Sequence, residues 1–208
     1  MKKINRIVAL GALAASIALP AYAQIVSSSG SNVVTNAARY NTYSVAFAPI
    51  TTAASLTDLI VLTGSATKTI YLRELECSGS ATAAGAATLA LVKRSTADTA
   101  GTQVTPSASL GGQTVPLDSS AAAATATVKG YTANPTTGTL VGLIRSAQVN
   151  LSPPATGNGA ALLHWQFALD NQQSPTLRGV AQQIAVNGLG ASFPAGSAVG
   201  CSLTWIEQ

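Results

Sequence analysis

One histidine, His164, two carboxylates at close spacing, Glu74 and Glu76, and two cysteines, Cys77 and Cys201, are the residues in this 208-residue chain whose types could do chemistry. Catalysis through His164 would need an acid to orient the imidazole and a nucleophile beside it. No Asp or Glu lies near it in sequence, and the chain has no Gly-x-Ser-x-Gly elbow. Glu74 and Glu76, two apart on an expected strand, share a face, where such a pair can bind a cation or serve a glycosidase. Lys68, Arg73 and Lys93 offer charge partners nearby, which favours a solvated surface cluster. A zinc site made of both cysteines and His164 lacks a fourth ligand and the Cys-x-x-Cys spacing. No phosphate-binding glycine loop or calcium loop occurs. The expectation is a non-enzymatic protein with no catalytic, cofactor-binding or metal-binding residue.

The amino terminus sets the compartment. Lys2, Lys3 and Arg6 precede an apolar run from Ile7 to Leu19, and Pro20 stands before Ala21-Tyr22-Ala23. This is the layout of a Sec-type signal peptide over residues 1–23 with an A-x-A cleavage site. The run is too short for a membrane anchor, since a spanning helix needs about 20 apolar residues. Export to the periplasm, the cell surface or the medium would favour a disulfide between Cys77 and Cys201, the alternative being two separately buried thiols.

The elements that would position these residues read as strands. Residues 24–41 are Ser- and Asn-rich without a stable period and suggest a flexible arm. Residues 42–208 suggest one β-sandwich or jelly-roll domain of about nine strands: 43–50, 56–62, 67–77, 88–93, 122–131, 139–145, 161–169, 179–186 and 198–206. Gly, Pro, Asn and Ser punctuate them, and no amphipathic helix intervenes. In 161–169 the alternation puts Leu163, Trp165, Phe167 and Leu169 on one face, with Leu162, His164 and Gln166 on the other. In 198–206 Val199, Cys201, Leu203 and Trp205 share the core face. Between Thr67 and Cys77 the apolar parity shifts, which predicts a bulge near Arg73 or Glu74 and aims Cys77 inward towards Cys201.

Composition narrows the partners. Charged residues make up 9% of the chain, against roughly 25% in an ordinary soluble domain. Without residues 1–23 the formal charge falls from +4 to near neutrality. A polyanion binder driven by bulk charge is thereby disfavoured. Lys93-Arg94 and Lys129 are scattered positive charges without aromatic interleaving, so no nucleic-acid partner is expected. Tyr40, Tyr43, Tyr71 and Tyr131 are spread along the chain, and a surface glycan would require exposed aromatics that the fold brings together. A near-neutral surface rich in Ala, Thr, Ser and Gly has little repulsion to keep copies apart, so self-association or packing against other structural proteins is expected.

The stretches Ala53-Ala54-Ser55-Leu56-Thr57-Asp58, Gly64-Ser65-Ala66-Thr67-Lys68-Thr69, Leu91-Val92-Lys93-Arg94-Ser95-Thr96, Ala122 to Asn134 and Leu203-Thr204-Trp205-Ile206-Glu207 give a composition that resembles Ala/Thr-rich β-sandwich proteins among the virion-structure genes of tailed bacteriophages. The resemblance implies a non-enzymatic capsid decoration or tail component. A signal peptide departs from it, because virion parts assemble in the host cytoplasm. Export points instead to a periplasmic or surface-displayed sandwich, such as a pilin-like subunit or a glycan-binding adhesin.

Overall fold

The computed structural model describes residues 24–26, 32–34, 40–154, 161–169 and 172–208. The expected signal peptide at residues 1–23 lies outside them. The chain divides into two units, residues 1–39 and 40–208. In the first, β1 (Gln24–Val26) pairs antiparallel with β2 (Asn32–Val34). This places a short hairpin ladder inside the segment expected as an arm without a period.

Among the described residues, the second unit holds thirteen strands in two antiparallel sheets, β3 to β15. They are β3 (Asn41–Ala46), β4 (Ile50–Thr51), β5 (Asp58–Thr63), β6 (Thr69–Ser80), β7 (Gly85–Arg94), β8 (Thr102–Gln103), β9 (Val115–Pro116), β10 (Thr127–Ala133), β11 (Leu140–Leu151), β12 (Ala161–Gln166), β13 (Thr176–Arg178), β14 (Gln183–Asn187) and β15 (Ala198–Glu207). The first sheet runs β11-β7-β14-β5-β10-β8. The second runs β12-β6-β15-β3-β9, with β13 also on β6 and β4 also on β15. The count exceeds the expected nine because β4, β8, β9 and β13 are only two or three residues long. Such strands are too short to show a period of their own, and distant partners define them.

Alternation explains which faces meet. Leu163, Trp165 and Phe167 are buried, as are Val199, Cys201, Leu203 and Trp205. Leu169 departs from the expected face: β12 ends at Gln166, Ala168 takes a left-handed φ of 60°, and Leu169 is 52% exposed. Trp205 is fully buried and stacks on Tyr43, with ring centroids 6.0 Å apart. Burying an aromatic pair of this kind stabilises by a few kcal/mol, largely through apolar area. Thr204 pairs with Glu74 and Trp205 with Leu72, leaving Arg73 as the extra residue of a bulge. That bulge brings Cys77 directly opposite Cys201, and the two form a disulfide with Cα atoms 4.0 Å apart.

The central strands of the first sheet are covered on both sides. Ile60, Leu62, Leu89, Leu91, Ile184 and Val186 face the core between the sheets. Val61, Ala90, Val92, Tyr131 and Ala185 form a second buried cluster, which period 2 places on the opposite face. Two connecting segments, 95–99 and 136–139, pair with each other: Ser95 N–H donates to the Thr139 carbonyl, and Thr99 and Thr136 exchange backbone hydrogen bonds of 2.9 and 2.8 Å. This ribbon is bonded to the outer side of the first sheet by the polar side chains described next.

Candidate functional site

The outer face of the second sheet carries the residues that the sequence singles out. Across the ladders, His164 and Ser202 both stand opposite Glu76, while Gln166 and Thr204 both stand opposite Glu74. Glu74 and Glu76 therefore do share a face, as the spacing predicts. The fold also supplies the carboxylate that His164 lacks in sequence: Nε2 lies 2.6 Å from Glu74 Oε1, a contact diagonal to the register. Gln166 Nε2 donates to the same oxygen at 3.5 Å. These hydrogen bonds, His164 first, hold the Glu74 carboxyl below its ordinary pKa despite some opposing desolvation. Lys68, Arg73 and Lys93, the partners suggested by sequence, make no ion pair with either glutamate. Lys93 belongs to the first sheet and donates to the Thr176 carbonyl at 2.8 Å.

This arrangement is poorly built for acyl transfer. Ser202 and His164 flank Glu76 from opposite strands, two ladder spacings or about 10 Å apart, so the hydroxyl and imidazole do not meet. Both His164 and Glu74 side chains are about two-fifths exposed, at 41% and 39%, and an ion pair so placed contributes at most about 1 kcal/mol. A recess of about 190 Å³ is lined by Glu76, Ser78 and Ser202 among others, and His164 does not line it. No group of three metal-ligating side chains occurs among the described residues.

A second cluster, on the outer face of the first sheet, was hidden from the sequence. Arg94 on β7 and Asp58 on β5 reach towards each other from either side of β14. The pairing is bidentate: Nε donates to Oδ2 at 2.6 Å and Nη2 to Oδ1 at 2.9 Å. Asn187 Nδ2 also donates to Asp58 Oδ1. Ala185, between Gln183 and Asn187 on the same face of β14, carries only a methyl group and leaves room for this crossing. Burial alone would lower the Arg94 pKa, but the bond to Asp58 and the charges of Asp58 and Asp98 raise it above the ordinary value.

The covering ribbon is fastened to that ion pair. Asp98 N–H donates to Gln183 Oε1 at 2.8 Å, Gly138 N–H donates to Asp98 Oδ1 at 2.8 Å, and Arg94 Nη1 donates to the Gly138 carbonyl at 2.8 Å. Gln183 Nε2 continues the network to Thr63 Oγ1 at 3.0 Å. Gly138 is required here, since a Cβ on it would lie 1.9 Å from the Thr96 carbonyl oxygen. Asp98 also lies 3.6 Å from Arg94 Nε, and its Oδ2 is buried without a hydrogen-bond partner. Desolvation above all, with the nearby Asp58 carboxylate, pushes the Asp98 carboxyl up to about 6.

A third buried carboxylate is structural. Glu207 accepts hydrogen bonds from Thr125 N–H and Oγ1, Ala126 N–H and Trp205 Nε1. Burial raises its pKa, but these bonds outweigh it and leave the carboxyl below its ordinary value. The aromatic side chains are mostly consumed by the core: Tyr43, Phe47, Tyr131, Trp165, Phe167, Phe193 and Trp205 are buried, Tyr71 is partly buried and Tyr40 is 50% exposed. Of the positive charges expected to be scattered, Arg94 is buried within its ion pair. No protein-family model, curated protein or solved structure matches this chain.

Proposed function

We propose that this chain is a structural β-sandwich subunit that works by joining copies of itself. This is the role implied by the resemblance to phage virion proteins, and it equally suits an exported surface assembly. The observation that carries the proposal is the free edge of the first sheet. β11 is twelve residues long and, among the described residues, pairs only with β7. Leu140, Val141 and Leu143 on it are 57%, 60% and 52% exposed. A long apolar edge with unpaired backbone groups is a template for strand addition, and soluble proteins usually blunt it with charge or short length. β11 carries a single charge, Arg145, whose guanidinium packs over the Phe167 ring at 4.9 Å. By contrast β8 and β9, which end the two sheets on their other sides, are two residues each.

The occupant that fits is the β11 strand of a second copy. A strand with an apolar head and a single charge is what this edge complements, and near neutrality beyond residue 23 removes long-range repulsion between copies. An antiparallel two-fold pairing centred on Ser146 sets each Arg145 opposite Ala147 of the partner subunit, so like charges do not face each other. The register is regular from Arg145 to Leu151, while two register shifts among Leu140 to Arg145 mark the head of the strand.

Sedimentation velocity over a wide concentration range tests this. The weight-average mass of the chain from residue 24 onward should rise with concentration. Leu143→Lys and Val141→Lys, both at exposed positions, should keep the strand-rich circular dichroism and remain monomeric. A monomer at every concentration, or lysine variants that associate like the parent, would overturn the proposal.

A further inference from the structure

The cluster beneath the ribbon has an imbalance that association alone does not explain. Two carboxylates, Asp58 and Asp98, both with fully buried side chains, share one guanidinium. Asp58 takes both of its forked donors, and Asp98 is left with the Gly138 N–H, a longer contact to Nε and a buried Oδ2 that has no donor. A carboxylate so placed is costly when charged. A proton on Oδ2 would remove the excess charge and give that atom a bond to donate. The other titratable group in contact by charge is Tyr131 on β10, whose phenol is pushed up by burial and then by Asp98 and Asp58. It stays neutral through the range that matters.

We propose that the Asp58–Arg94–Asp98 cluster is a proton-operated latch that fastens the 95–99/136–139 ribbon to the outer face of the first sheet. Gly138 is bound from both sides, by Asp98 at its N–H and by Arg94 at its carbonyl. Two residues later the chain enters β11 at Leu140. The latch therefore also sets the head of the free edge, where Leu140, Val141 and Leu143 are exposed. Any effect on association rests on the self-assembly proposed above; the latch itself does not.

The sign follows from linkage. A carboxyl whose folded pKa lies above its unfolded value contributes stability that is complete below the unfolded pKa and is lost as pH rises through the folded one. For Asp98 that window runs from 3.8 to about 6. Ribbon opening that restores an ordinary Asp98 should become about tenfold more frequent between pH 5 and pH 7.5. Glu207 and Glu74 are held below their ordinary values by their hydrogen bonds, so neither changes charge appreciably between pH 5 and pH 7.5.

Amide hydrogen exchange, corrected for the intrinsic pH dependence, reads the opening at residues 96–99 and 136–139. Protection in the wild-type chain should fall about tenfold from pH 5 to pH 7.5. Asp98→Asn, which mimics the protonated acid, should abolish the fall, and His164→Gln should retain it. Equal protection at both pH values, or an Asp98→Asn variant with the full response, would overturn the latch. The carboxyl-carbon NMR titration of Asp98 in the wild-type chain needs no variant: a midpoint near 6 supports the latch and one near 3.8 overturns it. Sedimentation at the two pH values separates the claims. A chain monomeric at both fails the assembly reading and leaves the exchange result to judge the latch. Association that weakens at pH 7.5 in wild type and not in Asp98→Asn supports both. Association with the same pH response in wild type and Asp98→Asn overturns the coupling of latch to edge.

Discussion

Reducing the Cys77–Cys201 bond should cost this fold a large part of its stability. The two residues sit opposite each other on β6 and β15, adjacent in the interior of the second sheet, and lie 124 residues apart in sequence. In the chain-entropy model, a closed loop of that length restricts the unfolded ensemble by about 5 kcal/mol. The bond crosses paired strands whose register the ladder also defines, so little native structure should change when it opens. The effect should therefore fall on the unfolded state. Guanidinium unfolding of the oxidised and reduced wild-type chain compares the states without altering core volume. The reduced form should lose about 5 kcal/mol and show a larger m-value, because its unfolded chain is less compact. With an m-value of several kcal/mol per molar, the midpoint should drop by about 1 M. A loss below about 1 kcal/mol, with an unchanged m-value, would refute the reasoning that this crosslink acts through chain entropy.

Two further outcomes follow from the other side chains. Glu207→Ala should destabilise by about 3 kcal/mol or more in chemical unfolding, because Thr125 N–H, Ala126 N–H and Trp205 Nε1 lose their shared acceptor. In the parent chain, the contribution of Glu207 should be complete above the ordinary carboxylate range and vanish as pH falls through its lowered pKa, a dependence that the alanine variant should lack. His164→Gln should change stability by less than about 0.5 kcal/mol at neutral pH, since the pair with Glu74 is exposed on both sides. A large loss in thermal unfolding would show that the pair matters to folding.

Strands with one wet face announced themselves. Leu163, Trp165 and Phe167 on β12, and Val199 to Trp205 on β15, alternate because His164, Gln166, Ser202 and Thr204 face outward. The parity shift before Cys77 likewise located a real bulge and a real disulfide. β5 and β14 were harder to delimit. Asp58–Thr63 is buried along nearly its whole length and Gln183–Asn187 along all of it. Their second face lies under a ribbon that only the folded chain assembles, so no period-2 signal marks their ends. β4, β8, β9 and β13 exist through partners far away in sequence, and local pattern could not reveal them.

The two polar clusters show the same limit. His164 and Glu74 are 90 residues apart, and Arg94 and Asp58 are 36 apart. Neither spacing matches a local motif. Arg94 follows Lys93 and reads as one of two adjacent surface charges, yet pleating sends them to opposite faces, Lys93 to a carbonyl on β13 and Arg94 to a buried acid. The signal that could have raised Asp58 was its place at the head of an otherwise apolar strand, Asp58–Thr63. A charge in that position needs a partner, and Arg94 was one of few candidates in a chain with so little charge.

Self-assembly through the β11 edge is tested most directly by single cysteines placed along it. Replacement of Ser146, Gln148 or Asn150 puts a thiol on β11 beside the proposed partner strand, while Ser202→Cys puts one on the outer face of the other sheet as a reference. Under mild oxidation, Ser146→Cys, on the two-fold, should give disulfide-linked dimers; the Gln148 and Asn150 replacements, whose thiols the two-fold sets about 13 and 26 Å apart along the strands, should not, and Ser202→Cys should stay monomeric. Dimers only at Ser202→Cys, or no crosslink at Ser146→Cys, would contradict the account.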